Sequence, residues 1–245
     1  MAGRIRIGIG GWVFEPWRGT FYPAGLRQKD ELAYVGQHLT ATEINATYYS
    51  TQKPATFAGW AKAVPDGFQF AVKASRYCTN RRVLGEAGES VAKFVGQGIA
   101  ELGDRLGPIL WQFMPTKAFD PDDFGAFLKL LPASVDGVPL RHALEVRHAS
   151  FDDPVFLGMA REAGAAVVLA DHDTYPAIQG ADVGFSYMRL MRTLEDEATG
   201  YGAAALADWA ARLRTQAAAG DAYAFFISGA KVRNPAAALA LSATT

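Results

Sequence analysis

Cysteine is all but absent from this chain: Cys78 stands alone among 245 residues, which excludes an intramolecular disulfide and any CxxC redox or zinc motif. A buried single thiol packs as a small hydrophobe, and Cys78 is not a candidate nucleophile. Histidine is scarce as well. His38, His142, His148 and His172 are the whole set and form no HExxH pairing, too few ligands for a multinuclear zinc centre. No apolar run approaches the roughly 20 residues of a membrane-spanning helix. The N-terminus enters the strand-like run Ile5-Arg-Ile-Gly-Ile9 without the apolar stretch or cleavage site of a secretion signal, so a cytoplasmic protein is expected. A net charge of -1 gives no global reason to seek nucleic acid or an acidic membrane. Gly8, Gly10 and Gly11 lack the further glycine of a dinucleotide fingerprint, and no G-x-S-x-G elbow is present. There is no linker-like tract and no internal repeat, which points to one domain over residues 1–245.

What is there is a large apolar fraction, 50% of the chain, enough to bury a core of α/β-barrel size. Eight segments read as strands: Ile5 to Ile9, Thr42 to Asn45, Phe68 to Lys73, Ile109 to Phe113, Ala143 to Arg147, Ala166 to Asp171, Phe185 to Leu190 and Tyr223 to Ser228. Helical patterns lie between them, such as Val91, Phe94, Val95, Ile99 and Leu102, spaced as one apolar stripe. Alternation of strand and helix implies a parallel sheet, and eight units imply a single (β/α)8 barrel. The sixth connection, His172 to Gly184, is too short and too rich in turn residues for a full helix; one helical turn or a bare loop is expected there. Asp120-Pro121 and Asn234-Pro235 each read as an N-cap followed by proline at the first helical position.

Side chains alternate along a strand, and in a barrel one parity faces the interior. Taking the polar parity as the inner one directs Gly8, Gly10, Glu43, Asn45, Lys73, Gln112, Glu145, Arg147, Asp171, Arg189 and Ser228 inward near the strand C-termini. Their neighbours Ile44, Val72, Trp111, Val146 and Met188 are apolar. Three carboxylates (Glu43, Glu145, Asp171) and three cations (Lys73, Arg147, Arg189) would then converge at the barrel mouth, where catalytic residues of such folds gather. Buried charges must be paired, hydrogen-bonded or open to a wet cleft, so a ligand site and a self-satisfied ion-pair network both fit. Trp12 shares the parity of Gly8 and Gly10 and is the ring of the aromatic loop (Trp12, Phe14, Trp17, Phe21, Tyr22) placed to reach a ligand; its companions suit packing. Gly229, Lys231 and Arg233 before the last helix suit an anion.

The motifs Gly8-x-x-Gly11-Trp12, Trp17-Arg-Gly-Thr-Phe-Tyr-Pro23, Glu43-Ile-Asn45-x-Thr47-x-Tyr49, Phe68-x-Phe70-x-x-Lys73, Gln112 and Leu144-Glu-Val-Arg-His148 together resemble the YecE-like family, also called domain of unknown function 72. The resemblance spans nearly the whole chain. It implies a TIM-barrel-like fold and puts Glu43, Asn45, Lys73, Gln112, Glu145, Arg147 and Arg189 on signature positions, without supplying a substrate. The chain departs from the family pattern at Asn80, where histidine is usual, at Met191-Arg192 in place of His-Gly, and at Ser228-Gly229 in place of an Asn pair.

The leading expectation is a cofactor-independent hydrolase or lyase for a small anionic or hydroxyl-rich substrate, phosphate-like or sugar-like. Glu145, Glu43 and Asp171 are its catalytic candidates; Lys73, Arg147, Arg189, Gln112, Asn45 and Trp12 would bind substrate. No cofactor and no metal ligand is assigned, although His148 and His172 with the carboxylates leave room for one divalent ion. A metal-assisted phosphodiesterase acting on nucleic acid and a non-catalytic ligand sensor are the alternatives. A Schiff base on Lys73 is disfavoured, because neighbouring carboxylates would keep the amine charged.

Overall fold

The computed structural model describes residues 3–245 and shows the (β/α)8 barrel. Its strands are β1 (Ile5–Gly10), β2 (Ala41–Ile44), β3 (Gln69–Lys73), β4 (Leu106–Gln112), β5 (His142–Glu145), β6 in two segments (Ala166–Val167 and Leu169–Asp171), β7 (Phe185–Leu190) and β8 (Asp221–Phe226). All neighbours are parallel, and β1 pairs with both β2 and β8. Closure runs through the split strand: Ala166–Val167 pairs with β5, and Leu169–Asp171 pairs with β7. At the break, the Val168 N–H still donates to the Leu144 carbonyl at 2.9 Å. The strand therefore changes partner there while that donor stays satisfied.

Most strand boundaries differ from the sequence reading by one to three residues, and two of these shifts have a clear local cause. β4 starts at Leu106 rather than Ile109, because Gly107 and Pro108, poor strand formers, sit where the ladder to β3 shifts register between Phe70 and Val72. The close approach explains the glycine: a Cβ on Gly107 would lie 2.8 Å from the Phe70 carbonyl oxygen. β8 ends at Phe226, two residues early, since Ser228 has left extended geometry for φ 64.

Helices cover the sheet at Glu31–His38, Pro54–Ala63, Gly88–Val95, Pro121–Leu128, Pro154–Glu162, Ala203–Ala217 and Asn234–Thr244. The sixth connection, residues 172–184, holds no helix, as its turn-rich composition implied. Asp120 caps the Pro121 helix by accepting from the N–H groups of Asp122 and Asp123. Asn234 does not cap its helix. It lies inside the first turn and is buried, its amide donating to the Phe226 carbonyl and its Oδ1 accepting from the Thr193 hydroxyl. A tertiary tether has taken the place of the local cap.

The core has two compartments. Between sheet and helices lie Ile44, Val72, Trp111, Leu144 and Met188, the outward parity, with Trp17 and Tyr22 of the first loop fully buried among them. Inside the barrel, Ala41, Ala71, Ala143 and Ala166 face Phe185, Tyr187, Tyr223 and Phe225. Small residues on one wall make room for rings on the other, with Tyr187 and Phe225 at 5.1 Å between centroids. The rings fill the interior below the mouth, so the barrel is a packed core and not a pore.

Gly8 sits against β2 so closely that a Cβ would lie 2.1 Å from the Ala41 carbonyl oxygen, a backbone atom that cannot swing aside. Gly8→Ala should lower stability by about 1–3 kcal/mol or more, seen as a lower urea midpoint with an unchanged slope.

Candidate functional site

The mouth is built on Arg189. Its position on β7, two residues after the buried Tyr187, lifts the guanidinium just above the aromatic layer, where it spans the barrel. Nε and Nη2 donate to the two oxygens of Glu43 on β2, at 3.1 and 3.0 Å, while Nη1 donates to Glu145 Oε2 on β5 at 2.6 Å. Tyr187 adds an O–H bond to Glu43 Oε2 at 2.8 Å, and Gln112 donates its amide to Glu145 Oε2 at 2.9 Å. Arg147 closes the set with Nε and Nη2 on Glu145 Oε1, at 2.8 and 2.7 Å. Both carboxylates are completely buried, and all four of their oxygens are occupied.

Electrostatics follow from this geometry. Burial pushes the Glu145 carboxyl up, but Arg189 and Arg147, with the Gln112 hydrogen bond, outweigh it and hold the group at about 2. Burial followed by the Glu43 charge drives the Tyr187 phenol well above its usual range, so it remains a donor. Glu145 thus serves as a fixed anion, and together with Glu43 it anchors the guanidinium groups through hydrogen bonds.

Lys73 stands apart. It ends β3 in the same mouth, yet no carboxylate comes within 4.0 Å of its amine among the described residues. Its Nζ lies over the Tyr48 ring at 4.1 Å from the centroid. Burial first, then the Arg189 charge, pull the ammonium down to about 8 against the opposing pull of Glu43 and Glu145. The carboxylates do lie near, as the sequence implied, but Arg189 and Arg147 occupy them, so Lys73 is not kept fully charged.

Above these groups opens a cavity of about 550 Å³ lined by Trp12, Asn45, Lys73, Gln112, Arg147, Arg189, Ser228 and Lys231, with Val13 and Ile227 as apolar wall. That volume suits a small molecule. Trp12 reaches it while its ring packs edge-on against Trp60 and Phe70, at 5.2 and 6.3 Å between centroids. Asn45 is loosely held, its amide 3.4 Å from the Glu43 carbonyl. At the rim, Lys231 lies over Phe14 at 4.2 Å from the ring centroid, and burial lowers its pKa. Arg233 turns away and donates to the Glu195 carbonyl.

Two inward placements are corrected. Asp171 points out of the barrel: on β6 the interior parity is Ala166, Val168 and Ala170. Its carboxylate accepts from the Tyr201 hydroxyl at 2.6 Å and lies 3.7 Å from Arg192, in a separate groove beside the Ala203–Ala217 helix. The mouth therefore holds two carboxylates and three cations, an excess of positive charge instead of the expected balance. On β8 the inward parity is Tyr223, Phe225 and Ile227. Ser228 reaches the cavity only through its left-handed backbone, a geometry that asparagine tolerates better.

His148 bonds Ser150, and His172 stacks on Tyr175 at 3.8 Å. Among the described residues no three His, Cys, Asp or Glu side chains gather as a ligand cluster. His142, expected just ahead of its strand, begins β5 and is buried, accepting from the Trp111 indole N–H at 3.0 Å. The sequence reading missed Tyr187 and Tyr175. Tyr187 shares parity with Arg189 and was legible on that ground. Tyr175, whose ring lies 4.4 Å below Arg147 and whose hydroxyl accepts from it at 3.2 Å, comes from the helix-free loop, where no periodicity announces it.

A family model described as "Protein of unknown function DUF72" matches residues 6–245. The UPF0759 protein YunF of Bacillus subtilis (strain 168) is 25% identical over 157 residues, covering 62% of this chain and 54% of YunF, so the match spans about half of that relative. A DUF72 family protein of Thermotoga maritima MSB8 is similar in structure with a TM-score of 0.74 at 22% identity, over 98% of this chain and 97% of that one. Another, from Enterococcus faecalis V583, gives 0.75 at 18% identity, over 98% and 94%. These structural likenesses show the shared fold.

Removing Arg189 leaves two buried carboxylates without their main counter-charge, and Arg189→Met should cost about 3–5 kcal/mol in chemical denaturation. The folded Glu145 carboxyl, at about 2, lies below its usual 4.5, so its contribution is complete above about pH 4.5 and is lost as pH falls toward 2. Urea titrations between those values should show a shallower acid limb in Glu145→Gln than in the native protein.

Proposed function

The chain belongs to the DUF72 family of proteins of unknown function, and from that premise we propose that its barrel mouth binds a small anionic, hydroxyl-bearing molecule and acts on it as a cofactor-independent hydrolase or lyase. The observation that carries this reading is the Lys73 amine, without a carboxylate partner among the described residues in a cavity whose two carboxylates are fully engaged elsewhere. The site has more cations than anions, so an incoming anion supplies the missing counter-charge. Its contacts would be Lys73, the accessible edge of Arg147, and Lys231 at the rim. Asn45 and Gln112 supply amide donors for hydroxyl groups, and Trp12 a flat apolar face.

Proton transfer moves in this reading from Glu43 and Glu145 to Lys73. A general acid or base works best with a pKa close to the operating pH. Glu145, at about 2, is a very weak base, whereas Lys73, at about 8, exchanges a proton readily. The metal-assisted phosphodiesterase alternative draws no support from this geometry. Of the carboxylates that would join His148 and His172 around its metal, Glu43 and Glu145 have their oxygens filled and Asp171 lies outside the mouth.

Sulfate is a suitable probe because its charge is constant across the relevant pH range. Calorimetric titration at pH 7 should give binding that Lys73→Met weakens by about tenfold or more, equivalent to about 1.4 kcal/mol. Lys73 is charged below its pKa and neutral above it, so wild-type affinity should fall as pH rises through about 8, and the variant should not show that step. Equal affinity in both proteins, with circular dichroism confirming that the variant is folded, would sink the reading.

A further inference from the structure

Resting on the anion-binding reading of the mouth, we propose that Lys73 is also a nucleophile, forming an imine with the carbonyl carbon of a small anionic aldehyde or ketone such as a 2-oxo acid. An amine can attack only when its lone pair is free. Four features of the mouth leave it free. No carboxylate lies within 4.0 Å of the amine among the described residues. Arg189 and Arg147 share the cavity and disfavour a third positive charge. The Tyr48 ring covers one side of the amine, where its face favours the ammonium form, but it donates no hydrogen bond to the nitrogen and leaves the other side toward the cavity. Tyr48 is itself tied back, its hydroxyl accepting from the Asn80 amide at 3.0 Å.

The same cavity holds what the rest of the substrate needs. A carboxylate on the carbonyl compound can pair with Arg147, and the loosely bonded Asn45 amide is available to the carbonyl oxygen. In the step itself, the nitrogen lone pair forms the C–N bond while the C=O π pair moves to oxygen. The two amine hydrogens leave with that oxygen as water, through solvent in the open cavity, and the nitrogen pair closes the C=N bond. No oxidant or reductant is consumed. Protonated on nitrogen, the imine withdraws electrons from the neighbouring carbon, which gives a lyase its electron sink without a cofactor.

An amine with a pKa of about 8 has a neutral fraction at pH 7 roughly a few hundredfold larger than that of an ordinary lysine. The test is incubation of the intact protein with glyoxylate and sodium cyanoborohydride, followed by peptide mass mapping. Lys73 should be modified about tenfold faster than the exposed Lys53 and Lys62, with a rate that climbs with pH and levels off above about 8. Lys73→Arg should abolish the adduct and leave labelling of Lys53 and Lys62 unchanged. Modification of Lys73 no faster than of those two would overturn the inference. If sulfate binding still depends on Lys73 in that case, the nucleophile is wrong and the anion site stands; if sulfate binding is also indifferent to Lys73, both fall.

Discussion

One buried guanidinium organises the mouth of this barrel. Arg189 is only 2% exposed and reaches across from β7 to Glu43 on β2 and Glu145 on β5, linking strands that the sheet itself does not pair. An arginine in such a place is costly to desolvate, and the cost is offset only when the fork of N–H donors finds matching carboxylate oxygens. It finds them because the wall beneath is built from alanines on one side and tyrosine and phenylalanine on the other. The rings of β7 and β8 fill the interior up to Tyr187, and the next inward residue of β7 emerges at the level of the two carboxylates.

Lys73 owes its character to that arrangement. Were Glu43 or Glu145 unclaimed, either would pair with the lysine and hold it charged. Arg189 and Arg147 take the carboxylates, and their own charges then act on the lysine. A rigid network and an unpaired amine are thus parts of one arrangement: the ion pairs fix the geometry, and the amine stands outside them. Tyr175 extends the network into the one connection without a helix by stacking below Arg147, so the loop that lacks regular structure is tied to the site.

Most of the mouth was legible from alternation. Glu43, Lys73, Gln112, Glu145 and Arg189 all occupy inward positions near strand ends, because a strand that is polar on one parity and apolar on the other can face the helices only with its apolar side. The rule failed on β6 and β8 for a physical reason. β6 is apolar on both parities up to its last residue, so the rule has only Asp171 to mark the interior, although alanine and valine fill it. On β8 the inner parity carries rings, and Ser228 lies beyond the strand's extended geometry. The N-cap reading of Asn234 failed differently, since a local rule gave way to a buried contact with Thr193.

Eight strands, their connecting helices, the helix-free sixth connection and the face on which most of the charges lie were determined by the sequence, because periodicity and turn chemistry act over a few neighbouring residues. Which charges pair was decided only by the tertiary structure. Glu43 and Arg189 are 146 positions apart, and nothing local distinguishes an arginine that binds a substrate from one that binds two carboxylates. The distances across the closed barrel make that choice, and with it they leave Lys73 without a carboxylate partner among the described residues.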